Sequence, residues 1–304
     1  MDLDISQPFT RKHALDAGLT DAQLRSVDFF KILVGVFISS RARVTPVIRA
    51  RAALLIHPPS AILTHSSLAR ILGAPVPHDP LEHVTVTDRK DRRQRHGLRC
   101  HAMPIDESDV RVLNGLRTSC PARNFVEMAG LLSLVDLVVY GDWLVRQNHV
   151  GLAELLDYCD RTRLRHARRA REAAAYVREN VDSPMETRLR MLIVLAGLPE
   201  PEVNVKIRDE NGQVILRADL AYRSVRLAVE YDGRHHVEDP AQAHRDGDRR
   251  DEFEEGSWRL LVVRSAGIYR EPERTVLRVW RALRARGYQP LPQPTDAWRA
   301  HFGR

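Results

Sequence analysis

Apolar and polar positions alternate with a helical period over several stretches and with a strand period over others, and the two periods divide the chain. Thr10 can cap a helix running to Ala17, where Gly18 ends it, and Thr20-Asp21-Ala22-Gln23 has the form of a capping box opening a second short helix that ends near Ser26. The run from Phe29 to Ile38 is rich in β-formers and broken at Gly35, which predicts a hairpin. Val47–His57 and His65–Gly73 are predicted helices, His83–Thr87 alternates as a strand, and Leu98–Ala102 is a second strand beyond a charged loop. Asn124–Ala129 and Val135–Arg146 are again helical, and the arginine- and alanine-rich stretch from Arg161 to Asn180 reads as an exposed basic helix.

The last third has the sharpest pattern. Ser183 is the expected N-cap of a helix with Pro184 at its first position. Met185, Leu189, Leu192 and Ala196 form its apolar stripe, and Gly197 ends it. Glu186, three residues after the cap, suits either the return half of a capping box or a site ligand. Asn211-Gly212 between two β-rich runs predicts a hairpin pairing Arg208 with Ile215, Lys206 with Arg217 and Asn204 with Asp219. In the next strand Leu227, Val229 and Tyr231 share one face, while Ala228, Glu230 and Asp232 share the other. Asp219 can reach the same patch from the neighbouring strand. Three clustered carboxylates repel one another unless a cation joins them, so a divalent metal site is expected there. A helix around residues 245–255, a strand from Trp258 to Arg264, a helix from about Glu273 to Arg286 and a loosely held tail complete the chain.

Composition narrows the function classes. The 304 residues, 43% of them apolar, suffice for two or three cored domains. The longest apolar runs fall short of a membrane span, and the N-terminus lacks a signal-peptide layout, so a cytoplasmic protein without a membrane partner is expected. Three widely spaced cysteines suggest buried, reduced thiols. A formal charge of +7 points to a polyanion. Lysine occurs only at positions 12, 31, 90 and 206, so the positive charge is almost entirely arginine; a GC-rich genome and selection for phosphate contacts both account for that. The histidines at 57, 65, 78, 83, 96 and 101 lack a helical i, i+4 pair and read as surface or capping residues, leaving residues 46–160 without evident chemistry.

Two resemblances organise these observations. The helix, turn, helix and β-hairpin of residues 1–45 resembles the small N-terminal winged helix-turn-helix domain of AbiEi-type antitoxins, in which Arg25 would face nucleic acid. Residues 46–160, a central α/β region, are similar to the middle of long actinobacterial proteins that join such a start to a nuclease-like end. The order Glu186, Asp219-Leu220-Ala221, Glu230-Tyr231-Asp232-Gly233, His236, Asp248-Arg249-Arg250-Asp251 and Gly256-Ser257-Trp258 resembles the domain family related to very short patch repair endonucleases. That family belongs to the restriction-endonuclease-like, PD-(D/E)xK superfamily.

The resemblance covers residues 183–287 and implies an α/β/α sandwich performing Mg²⁺- or Mn²⁺-dependent phosphodiester hydrolysis on DNA. It makes Asp219, Glu230 and Asp232 metal ligands, Glu186 the acid of the first helix, and His236 a proton-handling group. Asp232 stands where many relatives have lysine, and Lys206 is the candidate to supply that charge from the neighbouring strand. Arg249 and Arg250 would clamp phosphate or form a salt-bridge network with nearby acids. In the linker of residues 161–182, Arg168 and Arg169 would track a phosphate backbone or simply be solvated. Residues 288–304 form the tail. The leading expectation is a DNA endonuclease or nickase, open to a homodimer and to a toxin or repair partner. The alternatives are a non-catalytic, antitoxin-type DNA-binding regulator and an RNA-processing nuclease, which the sequence does not separate from a DNA-cleaving one.

Overall fold

The computed structural model describes residues 3–208, 212–233 and 257–302, a mixed α/β chain that divides into two compact units. One comprises residues 1–132 and 154–171, the other residues 133–153 and 172–304. The predicted helix over residues 245–255 lies outside the described residues.

The first unit begins with β1 (Phe9–Thr10), α1 (Arg11–Asp16), α2 (Asp21–Leu24), β2 (Phe29–Leu33) and β3 (Val36–Ser39). The caps are those expected: Thr10 Oγ1 accepts from His13 N, and Thr20 and Gln23 form a reciprocal capping box. The strands form a three-stranded sheet in the order β1-β3-β2, packed around Phe9, Ala14 and Leu24. There follow α3 (Pro46–Leu54), β4 (Ile62–Leu63), α4 (His65–Leu72), β5 (Glu82–Val86), β6 (Leu98–Ala102), β7 (Val110–Leu113), β8 (Leu116–Ser119) and α5 (Pro121–Met128). These strands build a five-stranded sheet, β6-β5-β4-β8-β7, in which β5 runs parallel to β6 and β4 parallel to β8. Its inner strand β5 is buried along its whole length, including Glu82. Burying that carboxylate is tolerable because Arg49, Arg70 and Ser67 meet it at 3.1, 2.7 and 2.6 Å.

The second unit contains α6 (Leu134–Arg146), and α7 (Leu152–Arg161) and α8 (Ala167–Ala174) span the residues at which the division falls. The basic stretch is therefore helical over 167–174 rather than 161–180, and Ala167, Ala170, Ala173 and Ala174 are buried. Then come α9 (Pro184–Leu195), β9 (Glu202–Arg208), β10 (Val214–Tyr222), β11 (Leu227–Asp232), β12 (Arg259–Arg264), α10 (Ser265–Tyr269) and α11 (Pro272–Ala285). The sheet order is β12-β11-β10-β9: an antiparallel meander, with β12 returning parallel to β11. Helices α9 and α11 both pack on β11, burying Leu189, Leu192, Val276, Val279 and Leu283.

The hairpin register differs from expectation at its tip. Lys206 pairs with Arg217 as predicted, but Arg208 pairs with Val214 rather than Ile215, because an irregularity between Val214 and Leu216 shifts the ladder. The tail is not loosely held over its described length. Trp298 and Phe302 are buried, Trp280 Nε1 donates to Pro292 O, and Thr295 N donates to Ala196 O. Two aromatic side chains supply apolar area enough to offset the ordering of a short segment.

Inside this unit Arg190, on α9, is fully buried, and its Nη2 donates to Asp142 of α6 at 2.8 Å. Asp142 also accepts from Thr187 Oγ1 and Arg178 N, both at 2.8 Å. Removing one partner strands the other charge out of water. Asp142→Ala is therefore expected to cost about 3–5 kcal/mol, read as a fall in the urea midpoint; a loss below about 1 kcal/mol, the scale of an exposed pair, would contradict this.

Candidate functional site

Of the four predicted acids, Asp219 lies on β10, Glu230 and Asp232 lie on β11, and Glu186 lies at the start of α9; among the described residues no three of them bring ligand atoms within 4.8 Å of one another. The register Leu220–Val229 and Ala221–Ala228, continued by one residue, sets Asp219 opposite Glu230, with Asp232 two residues further along β11. Opposed residues of antiparallel strands share a face, with Cβ atoms about 4.5–5.5 Å apart, close enough for two carboxylates to share one cation. Asp219 Oδ2 accepts from Tyr231 N at 2.9 Å, which fixes the side chain across the strand pair. Glu230 is 9% exposed. Asp232 accepts from Arg264 Nε at 3.2 Å, a contact created by the parallel pairing of Asp232 with Arg264.

Glu186 is buried at the N-terminus of α9, where Ser183 Oγ accepts its backbone N–H at 3.2 Å. Its own carboxylate takes the N–H of Asp182 at 2.9 Å instead of that of the cap residue, so the expected return half of the capping box is displaced by one position. Asp182 in turn pairs with Arg217 at 2.9 Å, and Arg217 Nε donates to Asn204 Oδ1 at 2.8 Å. Arg217 stands two residues before Asp219 and so on the same face of β10. Lys206 is exposed on β9, directly opposite Arg217.

Sequence reasoning missed Arg217 and Arg264 as cations of this patch. The predicted Lys206–Arg217 pairing already contained a signal for the first. The second depends on the register of two parallel strands separated by 26 residues.

Oxygen donors suit Mg²⁺, which needs only one or two carboxylates because it keeps several waters and takes the rest of its shell from phosphate. Asp219 and Glu230 match that requirement. Arg25 is exposed at the end of α2, and Arg168 and Arg169 are exposed on α8, where Arg169 also donates to Leu132 O at 3.0 Å. His236, Arg249 and Arg250 lie outside the described residues.

The histidines require a correction. His78 and His96 are exposed, but His65 and His83 are buried and His101 is half-buried. The three converge from α4, β5 and β6, offering ring nitrogens that lie within 4.8 Å of one another. The convergence has a topological cause. His83 pairs with Arg99 and Thr85 with His101 on adjacent parallel strands, so His83 and His101 share a face, and His65 opens the helix stacked over it. The burial of Glu82–Val86 along its whole length, which puts His83 in the interior, leaves no mark in its mixed polar and apolar sequence.

No family model matches the chain. It is similar to uncharacterized proteins of two Mycobacterium tuberculosis strains, each 29% identical over 172 residues that make up 56% of this chain. The chain spans 63% of the length of these curated relatives. Among the described residues no helix is long and apolar enough to cross a membrane.

Burial holds all three clustered imidazoles below their ordinary range. His101 is brought to about 4, by desolvation first and then by His83, Arg99 and Arg92. Unfolded rings take up protons around 6.5 while the folded ones stay neutral, so this stability is complete above 6.5 and is lost as the pH falls toward 4. Urea midpoints of chelator-treated protein are expected to fall across that window, less steeply in His101→Gln; equal slopes for the two proteins would contradict this assignment.

Proposed function

We propose that the chain is a divalent-metal-dependent DNA endonuclease or nickase whose reacting centre is the carboxylate patch of its second unit. The observation that carries this reading is the register placing Asp219 opposite Glu230 on the inner strands of a β12-β11-β10-β9 sheet, with Glu186 buried at the start of α9. An antiparallel meander, a parallel return strand and flanking helices are the arrangement that the resemblance to patch-repair-like nucleases implies.

Asp219 and Glu230 would hold Mg²⁺ or Mn²⁺. When bound, such an ion lowers the pKa of a water and offsets charge on the scissile phosphate. Asp219 is held for this task by Tyr231 N–H, and Glu186 orders the turn before α9 through Asp182. Asp232, engaged by Arg264, belongs to the edge of the patch. Arg217 and exposed Lys206 supply positive charge on the β9–β10 face, in place of the lysine that many relatives carry at the position of Asp232. The helices α1 and α2 with the sheet β1-β3-β2 support the winged-helix reading of residues 1–45, with Arg25 exposed for a phosphate contact. Arg168 and Arg169 belong to the same reading as backbone contacts.

Nicking of supercoiled plasmid in Mg²⁺ or Mn²⁺ tests the assignment. Asp219→Asn retains an acceptor for Tyr231 N–H but loses the charge, and is expected to lower the rate by about 100-fold or more, since several kcal/mol of charge stabilisation go with the ion. Lys206→Ala is expected to lower it by a smaller factor. DNA binding without cleavage under any metal, unchanged in Asp219→Asn, would instead assign the chain to antitoxin-type regulation.

A further inference from the structure

We propose that His65, His83 and His101 form a second site, for a divalent first-row transition metal and best suited to Zn²⁺, with an open coordination position facing a cleft that accepts a phosphate-like anion. The donors are three imidazoles without a carboxylate among them, a set that favours zinc, copper or nickel over magnesium. His83 Nδ1 and His101 Nε2 are 3.0 Å apart. Two nitrogens bound at 2.0–2.1 Å to one tetrahedral ion would be about 3.3 Å apart.

The remaining ring nitrogens are managed as metal-binding histidines require. His83 Nε2 meets Asp79 Oδ2 at 2.9 Å, and Asp79 is itself held by Ser66 Oγ and Leu81 N, both at 2.9 Å. A carboxylate on the far nitrogen fixes the tautomer and turns the Nδ1 lone pair toward His101. His65 Nδ1 meets Thr64 Oγ1 at 2.9 Å, which leaves Nε2 as its donor.

The backbone at His65 is a second, independent indication. Its φ of 50° lies in the left-handed region, a conformation that costs a non-glycine residue free energy and persists only when the surroundings enforce it. They do so on both sides. His65 N donates to Glu127 Oε2 at 3.3 Å, and Asn124 Nδ2 donates to His65 O at 3.2 Å. Glu127 is locked by Arg123 Nε and Ser119 Oγ, both at 2.9 Å. The strain and its supports aim one ring at the other two.

His65 and His101 line a cleft of about 1190 Å³ whose wall also carries Arg89, Arg92, Arg99 and Arg165. Three protein ligands leave a fourth position on a zinc-like ion, and guanidinium groups around it suit an anion with several oxygens. Without a metal the same atoms would form a hydrogen-bonded stack in which His101 Nε2–H donates to His83 Nδ1.

Cobalt distinguishes these arrangements. Full-length protein stripped with chelator and titrated with Co²⁺ is expected to develop a visible d–d band saturating at one equivalent, and His101→Gln to abolish it. Asp79→Asn, which leaves all three donors in place, is expected to weaken binding about 10- to 100-fold, and keeps the test decisive should His101→Gln not fold. Inorganic phosphate is expected to shift the band of the cobalt-loaded protein. A wild-type protein without the band, a band that survives His101→Gln, or Asp79→Asn binding at wild-type strength would overturn the metal site. A band indifferent to saturating phosphate would overturn the open anion position. None of these readouts involves DNA cleavage, so the outcome is separate from that of the nuclease proposal.

Discussion

A guanidinium removed from water has to be matched where it lies, and Arg190 imposes that condition on the whole second unit. Its Nη atoms reach Asp142 and Glu200 and the carbonyl of Tyr176, while Thr187 and the Arg178 N–H complete the shell of Asp142. Such a pair gains little over apolar packing, but it admits few alternative arrangements, since any slip of α9 along α6 would leave a charge unmatched. The rotation and height of α9 follow from it. So does the position of Glu186, one turn before Arg190, and with it the turn through Asp182 that reaches Arg217 on β10.

Much of this was legible in the residues. Cap chemistry located the starts of α1, α2 and α9, because a hydroxyl held one carbon from the backbone either reaches the exposed N–H groups or does not. Strand alternation placed Glu230 and Asp232 on one face, and Asn211-Gly212 brought Lys206 opposite Arg217. The tip of that hairpin came out one residue off because a local irregularity leaves no mark in the alternation upstream of it. Contacts across parallel strands were illegible for a general reason. The offset of β12 against β11, which pairs Arg264 with Asp232, and that of β6 against β5, which unites His83 with His101, are set by long connections whose geometry has no local code. The histidines were therefore scattered in sequence and adjacent in space.

The two clusters have different donor chemistry. One is all oxygen, arranged on strands with arginine at its margins; the other is all imidazole, supported by the carboxylates of Asp79 and Glu127 and a strained backbone. Carboxylates suit magnesium and neutral imidazoles suit zinc, so the two proposed sites differ in the ion each favours. Each cluster lies within its own unit, so neither depends on the other for completeness.

The nuclease proposal requires Asp219 and Glu230 to hold one cation between them. The most direct measurement is a crystal structure of the full chain soaked with Mn²⁺, read in anomalous difference density. A peak bound by one oxygen from each carboxylate is expected, at roughly 2.0–2.3 Å from both. Density that avoids this pair at saturating Mn²⁺, with the two side chains ordered, would contradict it.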